Sequence, residues 1–150
     1  MAAGFTVRNE DLPELASRLR EIAFLELGER DLRPSLKADM EIPLHELRPM
    51  LLKELDQLQP TGQDNPDAVF ISKNLEVKGF KKIGKEAQHL RLTVSDGRIT
   101  YDAVAFRQGL WADQMPRVVD LAYVFEKNIY NGRESLQLNV RDIRPAGESD

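Results

Sequence analysis

The residues of this chain whose types and spacing could do chemistry are cations. Lys73, Lys78, Lys81, Lys82, Lys85 and Arg91 crowd one stretch that holds only Glu76 and Glu86 against them. Clustered lysine and arginine neutralise phosphates, and flat side chains beside them stack on bases. Those are the two devices by which single-stranded nucleic acid is held. Three further groups extend the cluster. His89, Arg91 and Thr93 alternate on one polar side of His89–Val94, and Gln137, Asn139 and Arg141 do the same in Ser135–Arg141. Tyr130 and Arg133 bracket Asn131-Gly132. The candidate nucleic-acid-binding set is therefore Lys81, Lys82, Lys85, His89, Arg91, Tyr130, Arg133, Asn139 and Arg141.

Hydrolytic chemistry finds no comparable grouping. The chain has two histidines, His45 and His89, and no cysteine. Disulfides and thiol chemistry are excluded, and neither histidine stands at a metal-ligand spacing. His45 reads as an exposed helical residue. No Ser-His-Asp arrangement and no glycine-rich phosphate loop is visible. The expectation is a chain with no catalytic residue, no metal ligand and no cofactor of its own.

Five strands must position the cations: roughly 68–80, 89–96, 98–107, 117–130 and 134–145. His89-Leu-Arg-Leu-Thr-Val94 and Ser135-Leu-Gln-Leu-Asn-Val140 alternate apolar with polar, the period of a strand with one buried face. Gly84, Asp96-Gly97, Gly109 and Asn131-Gly132 mark the turns, and Asn-Gly between β-rich runs is a strong hairpin signal. Five short strands, the first one long, predict a closed Greek-key barrel of the OB type. Such barrels bind oligonucleotides on one face between two loops. Phe70, Phe80, Tyr101, Phe106, Tyr123 and Phe125 read as core. Tyr101 and Phe106 have opposite strand parity, so at most one faces a groove. Tyr130 is the better stacking candidate, and Trp111 reads as a plug.

Charge follows the same division. The net −4 of the chain conceals −5 over residues 1–66 and +3 over 67–145. No apolar run is long enough to cross a bilayer, and no signal peptide is visible, so the location reads as cytoplasmic. Before the barrel, Leu12, Leu15, Leu19, Ile22 and Ala23 stripe a helix over 11–27, and Gly28 stops it. That stripe needs a surface: a second copy in a weak homodimer, or the barrel. Ala38–Ile42 reads as a short strand with Met40 and Ile42 on one side. Pro43 opens a second helix to Leu58, which Pro49 should kink or start late. The organisation read from the chain is 1–34 helical, 35–66 strand, helix and rigid linker, 67–145 barrel and 146–150 tail. The class is mainly β with a helical N-terminal part (α+β).

Three stretches together resemble the C-terminal part of the RecJ family of single-stranded-DNA-specific exonucleases. Met1-Ala-Ala-Gly-Phe-Thr-Val resembles the segment after the Gly-Gly-His motif of the family's DHH-associated domain, which implies that 1–34 is a remnant of that domain and that its helix packs on the upstream part. Leu58-Gln-Pro-Thr-Gly-Gln-Asp-Asn-Pro-Asp-Ala-Val-Phe70 resembles its linker, with Thr61 in place of the usual Phe and Asp64 in place of Gly. Gly84–Val94, Tyr101–Phe106 and Asn131–Ile143 resemble its OB domain. The resemblance implies a 5'-to-3' exonuclease of DNA recombination and repair whose Mg²⁺- or Mn²⁺-binding catalytic core lies upstream and is absent here. It implies single-stranded DNA and the upstream catalytic domains as partners, and no membrane. The alternative is a protein-docking OB module without direct nucleic-acid binding.

Overall fold

A computed structural model describes residues 4, 6–28, 35–62, 65–130 and 132–147. The chain forms two units, Met1–Ser35 and Leu36–Asp150. In the first, α1 spans Leu12–Leu27 with a proline in its first turn, and the Gly28 amide closes it on the Phe24 carbonyl at 2.9 Å. No residue of α1 is buried.

The second unit is a barrel. Its strands are β1 (Met40–Glu41), β2 (Phe70–Ile83), β3 (His89–Ser95), β4 (Thr100–Ala105), β5 (Val118–Tyr130) and β6 (Arg133–Pro145). The sheet runs β1-β2-β3-β4-β6-β5, and β5 pairs back onto β2. Five strands therefore close on themselves, and β1 is an extra parallel strand beside the start of β2. The length of β2 permits closure. Its first half pairs antiparallel with β5 and its second half with β3. Register shifts at Ser72/Leu75 and Val77/Gly79 mark the bends, and Asn74 there adopts φ 56°. Irregularities of this kind turn a strand around a barrel corner. β4 and β6 run parallel, while β5 and β6 form a hairpin from Tyr130↔Arg133 upward. This is the Greek-key OB barrel that the alternation predicts.

The core is lined by Leu90, Leu92, Val94, Leu121, Tyr123 and Leu138, all at 0–1% exposure. Two further members precede the linker: Leu44 and Leu47, at 0% and 1%. The expected second helix over 43–58 breaks into three pieces. A 3-10 turn covers Leu44–Glu46, α2 covers Pro49–Leu55, and another 3-10 turn covers Asp56–Leu58. Pro49 is the cause. It has no amide to donate and pushes Arg48 into extended backbone, here φ −110° and ψ 155°. The break frees Leu44 and Leu47 to turn inward. The expected strand over 38–42 shrinks to two residues, so Met40 is exposed while Ile42 is buried.

Polar anchors fix this segment to the barrel. The Ser72 hydroxyl donates to the Ile42 carbonyl and shares a 2.7 Å contact with the Tyr123 hydroxyl. The Tyr101 hydroxyl donates to the Leu47 carbonyl. His45 Nδ1 and its backbone amide both reach Asp96 Oδ2, at 2.7 and 3.0 Å. His45 is thus half-buried in a clasp.

Candidate nucleic-acid interface

Strand alternation sends Leu90, Leu92 and Val94 inward, so His89, Arg91 and Thr93 face outward from β3. The same parity puts Asp102 and Val104 outward on β4, and Gln137 and Asn139 outward on β6. Register aligns these side chains in rows across the sheet. One row reads Gly79, Thr93, Asp102, Gln137 and Glu126. The next reads Lys81, Arg91, Val104, Asn139 and Val124. Beyond it, where β4 ends, stand His89, Phe106 and Arg141.

The rows differ in charge and in how much of that charge is already paired. Asp102 accepts from Arg91 Nη2 at 2.8 Å and from Thr93 Oγ1 at 3.2 Å. Glu126 accepts from Gln137 Nε2 at 2.6 Å and from Asn139 Nδ2 at 3.1 Å. Glu126 thereby orients both amides with their carbonyl oxygens turned away from it, and Asn139 Oδ1 is buried with no partner among the described residues. At the other end, Lys81, Lys85, Arg107 and Arg141 have no carboxylate partner among the described residues. An unpaired cation exchanges solvent ions for a phosphate without first breaking an internal pair.

The expected site residues divide accordingly. Lys81, His89, Arg91, Asn139 and Arg141 share the outer face, and Lys85 lies exposed in the loop between β2 and β3. Lys82 is paired with Leu90, so it follows the opposite parity, and its ammonium bonds Asp113 at 2.7 Å. The side chains of Tyr130 and Arg133 lie outside what the structure describes. Their backbones pair across the β5–β6 hairpin. Tyr101 is buried at 8% and meets Phe125 edge-on, whereas Phe106 is 51% exposed and meets His89 with ring centroids 5.3 Å apart. Phe106 and Arg107 are thus absent from the residue set read from the sequence. Parity held the signal, because a buried Tyr101 forces Phe106 outward. Trp111 packs partly buried against the core from the 3-10 turn Gly109–Asp113.

No cluster of three or more His, Asp or Glu able to hold a metal occurs among the described residues, and none of their helices is long and apolar enough to cross a membrane.

Comparison with known proteins agrees with this architecture. The RecJ OB domain family model matches residues 38–142, a span that takes in Leu44 and Leu47. The chain is 31% identical over 144 residues to the single-stranded-DNA-specific exonuclease RecJ of Bacillus subtilis, covering 95% of this chain and 18% of that protein. It is 27% identical to the RecJ of Haemophilus influenzae, covering 99% and 26%. The chain therefore spans about a fifth to a quarter of these relatives' length. The crystal structure of Thermus thermophilus RecJ with Mg²⁺ superposes with a TM-score of 0.77 at 23% identity, over 97% of this chain and 22% of that one, a likeness of fold. By fold, register and matched span together, the chain belongs to the RecJ OB domain family.

Proposed function

We propose that this barrel binds single-stranded DNA on the outer face of β3, β4 and β6, and that it does so as part of a RecJ-like 5'-to-3' single-stranded-DNA exonuclease of recombination and repair in the cytoplasm. The observation that carries the reading is the set of unpaired cations, Lys81, Lys85, Arg107 and Arg141, around an exposed aromatic on an OB face. Cations at that density attract phosphate, and exposed rings accept bases. The catalytic step, with its Mg²⁺ or Mn²⁺, belongs to the domains of RecJ that this chain, about a fifth to a quarter of its relatives' length, does not span. Those domains are the barrel's partners in the same protein.

The test is binding of labelled oligo-dT across a salt series, with duplex of equal length as competitor. Each phosphate contact on a single strand contributes a slope of about −0.7 in log K against log salt. Replacing Lys81, Lys85, Arg107 and Arg141 together by alanine should weaken binding strongly and flatten that slope, with an unchanged thermal transition. Equal affinity for duplex, or a parent chain whose binding ignores salt, would sink the reading and favour a protein-docking barrel.

A further inference from the structure

His89 is held on three sides. Its Nδ1 accepts the Arg107 amide at 2.9 Å, which puts the ring proton of the neutral form on Nε2. Its Cδ2 edge lies so close to Gly84 that a Cβ there would sit 2.8 Å away, and Gly84 adopts φ 85°, which glycine tolerates. Its ring meets Phe106 at an interplanar angle of 73°, the T-shaped geometry that aromatic pairs favour. A residue so engaged is a poor free ligand and a good buttress.

The same corner is rigid in its backbone. Arg107 takes φ 59°, a left-handed conformation that a non-glycine residue keeps only when its surroundings impose it. The Gly109 amide donates to the Gln88 carbonyl at 2.9 Å, and a Cβ on Gly109 would fall 2.2 Å from the Ala87 carbonyl oxygen. Loops 84–88 and 106–109 are thereby clamped together. Phe106 projects from this clamp half-exposed. The acidic row of Asp102 and Glu126 lies two rows away along the strands.

Resting on the single-stranded-DNA reading above, we propose that Phe106 is the base-stacking platform of the groove, that His89 is its positioning residue, and that the strand crosses the sheet along the Phe106 row, two rows from Asp102 and Glu126. A nucleobase fits this ring better than an apolar peptide side chain does, because Arg107 follows it in the chain, Lys81 and Arg141 share its face, and a polynucleotide brings a phosphate with every base. Duplex is disfavoured, since paired and stacked bases hide the faces Phe106 would cover.

The experiment uses the full chain, fluorescein-labelled oligo-dT and anisotropy at several salt concentrations. Phe106→Ala should weaken binding about 5- to 150-fold, the equivalent of one lost stack, with the salt slope unchanged. Phe106→Leu, which keeps apolar bulk without a π face, should lose a similar factor. Phe106→Trp should bind within about threefold of the parent. His89→Ala should weaken binding less than Phe106→Ala, and should cost nothing further once Phe106 is already alanine. That non-additivity separates a residue acting through Phe106 from one that merely supports the fold. A parent that binds oligo-dT while Phe106→Ala or Phe106→Leu binds within twofold of it overturns the platform and leaves the single-stranded-DNA reading standing. A parent that binds no oligo-dT overturns both.

Discussion

Two leucine-bearing segments precede the long strands, and they end differently. In α1, Leu12 and Leu19 are 48% exposed and Ile22 is 56% exposed. In the turn that follows β1, Leu44 and Leu47 are at 0% and 1%. Both segments show leucine at helical spacing, so pattern does not separate them. Polar anchoring does. The residues from Ile42 to Leu47 are tied to the barrel by Ser72, Tyr101 and Asp96, from three different strands or turns. The side-chain bonds found in α1 are local, Arg18 to Glu14 at 2.6 Å and Arg20 to the Ala16 carbonyl at 3.0 Å. An apolar stripe states that a segment needs cover. Long-range hydrogen bonds state which surface provides it.

The sharpest way to break this comparison is to truncate the leucines. Leu44→Ala or Leu47→Ala should destabilise the barrel by about 2–5 kcal/mol, the range for buried leucine whose cavity cannot collapse. Leu19→Ala in α1 should change the stability measured by urea unfolding by no more than about 0.5 kcal/mol. Similar small shifts in all three would mean that Leu44 and Leu47 only fill the barrel end without holding it.

Asp96 tests the anchors themselves. Burial alone would raise its pKa from the ordinary aspartate value. Amide bonds from Ile99 and Arg98, and the ring and backbone nitrogens of His45, outweigh burial and hold the carboxyl well below that value. A carboxyl depressed on folding contributes stability that is complete above the unfolded pKa, near 3.8, and is lost as pH falls towards the folded one. Asp96→Ala should therefore cost about 2–3 kcal/mol near neutrality, where charge-assisted bonds are lost and donors are left unpaired. Denaturant titrations of parent and variant should converge as pH falls below about 4. Parallel stability curves down to pH 2 would show that the clasp is geometrical and not ionic.

Much of this was legible in the sequence, and particular residues show where legibility stopped. Alternation in His89–Val94 and Ser135–Val140 placed β3 and β6, and Asn131-Gly132 placed the hairpin between β5 and β6. The broken second helix was readable only as far as Pro49, because nothing local says that Leu44 will enter a barrel whose wall is formed fifty residues later. His45 read as an exposed helical residue because its partner, Asp96, is equally distant. Lys82 stands beside Lys81 and Lys85 in the sequence, but its pairing with Leu90 sends it the other way. Phe106 was half-read. Its parity relative to Tyr101 was plain, but which of the two turned inward depended on the Leu47 carbonyl, a contact from outside the strands.

The hydroxyl anchors should give a smaller effect than Asp96. Tyr101→Phe removes the donor to the Leu47 carbonyl and should cost about 1 kcal/mol, the net worth of a neutral bond. Tyr123 offers a check at high pH. Burial, the dominant influence, pushes its phenol up to about 12 from 10.0, while the Ser72 bond opposes the shift. A group whose pKa rises on folding stabilises fully below its unfolded pKa and loses that contribution as pH climbs through the folded value. The barrel should thus lose stability between about pH 10 and 12, less steeply in Tyr123→Phe. Identical alkaline curves for parent and Tyr123→Phe would place the titrating group elsewhere.

The smallest expected effect belongs to α1, and it bears on the comparison most directly. Its side-chain bonds among the described residues are local and none of its residues is buried, so removing residues 1–35 should leave the cooperative transition of the remaining barrel within about 0.5 kcal/mol. Loss of that transition would show that the helix belongs to the barrel's core and that the distinction drawn from hydrogen bonds fails. The exposed Leu19, Ile22, Phe24 and Leu25 make a second measurement informative. Apolar surface of this extent associates when concentration allows. Sedimentation of the full chain should show weak, concentration-dependent dimerisation that disappears in Leu19→Ser/Ile22→Ser and in the truncated chain. A monomer at every concentration would show that this stripe does not drive self-association. A dimer that persists after truncation would move the self-association surface onto the barrel.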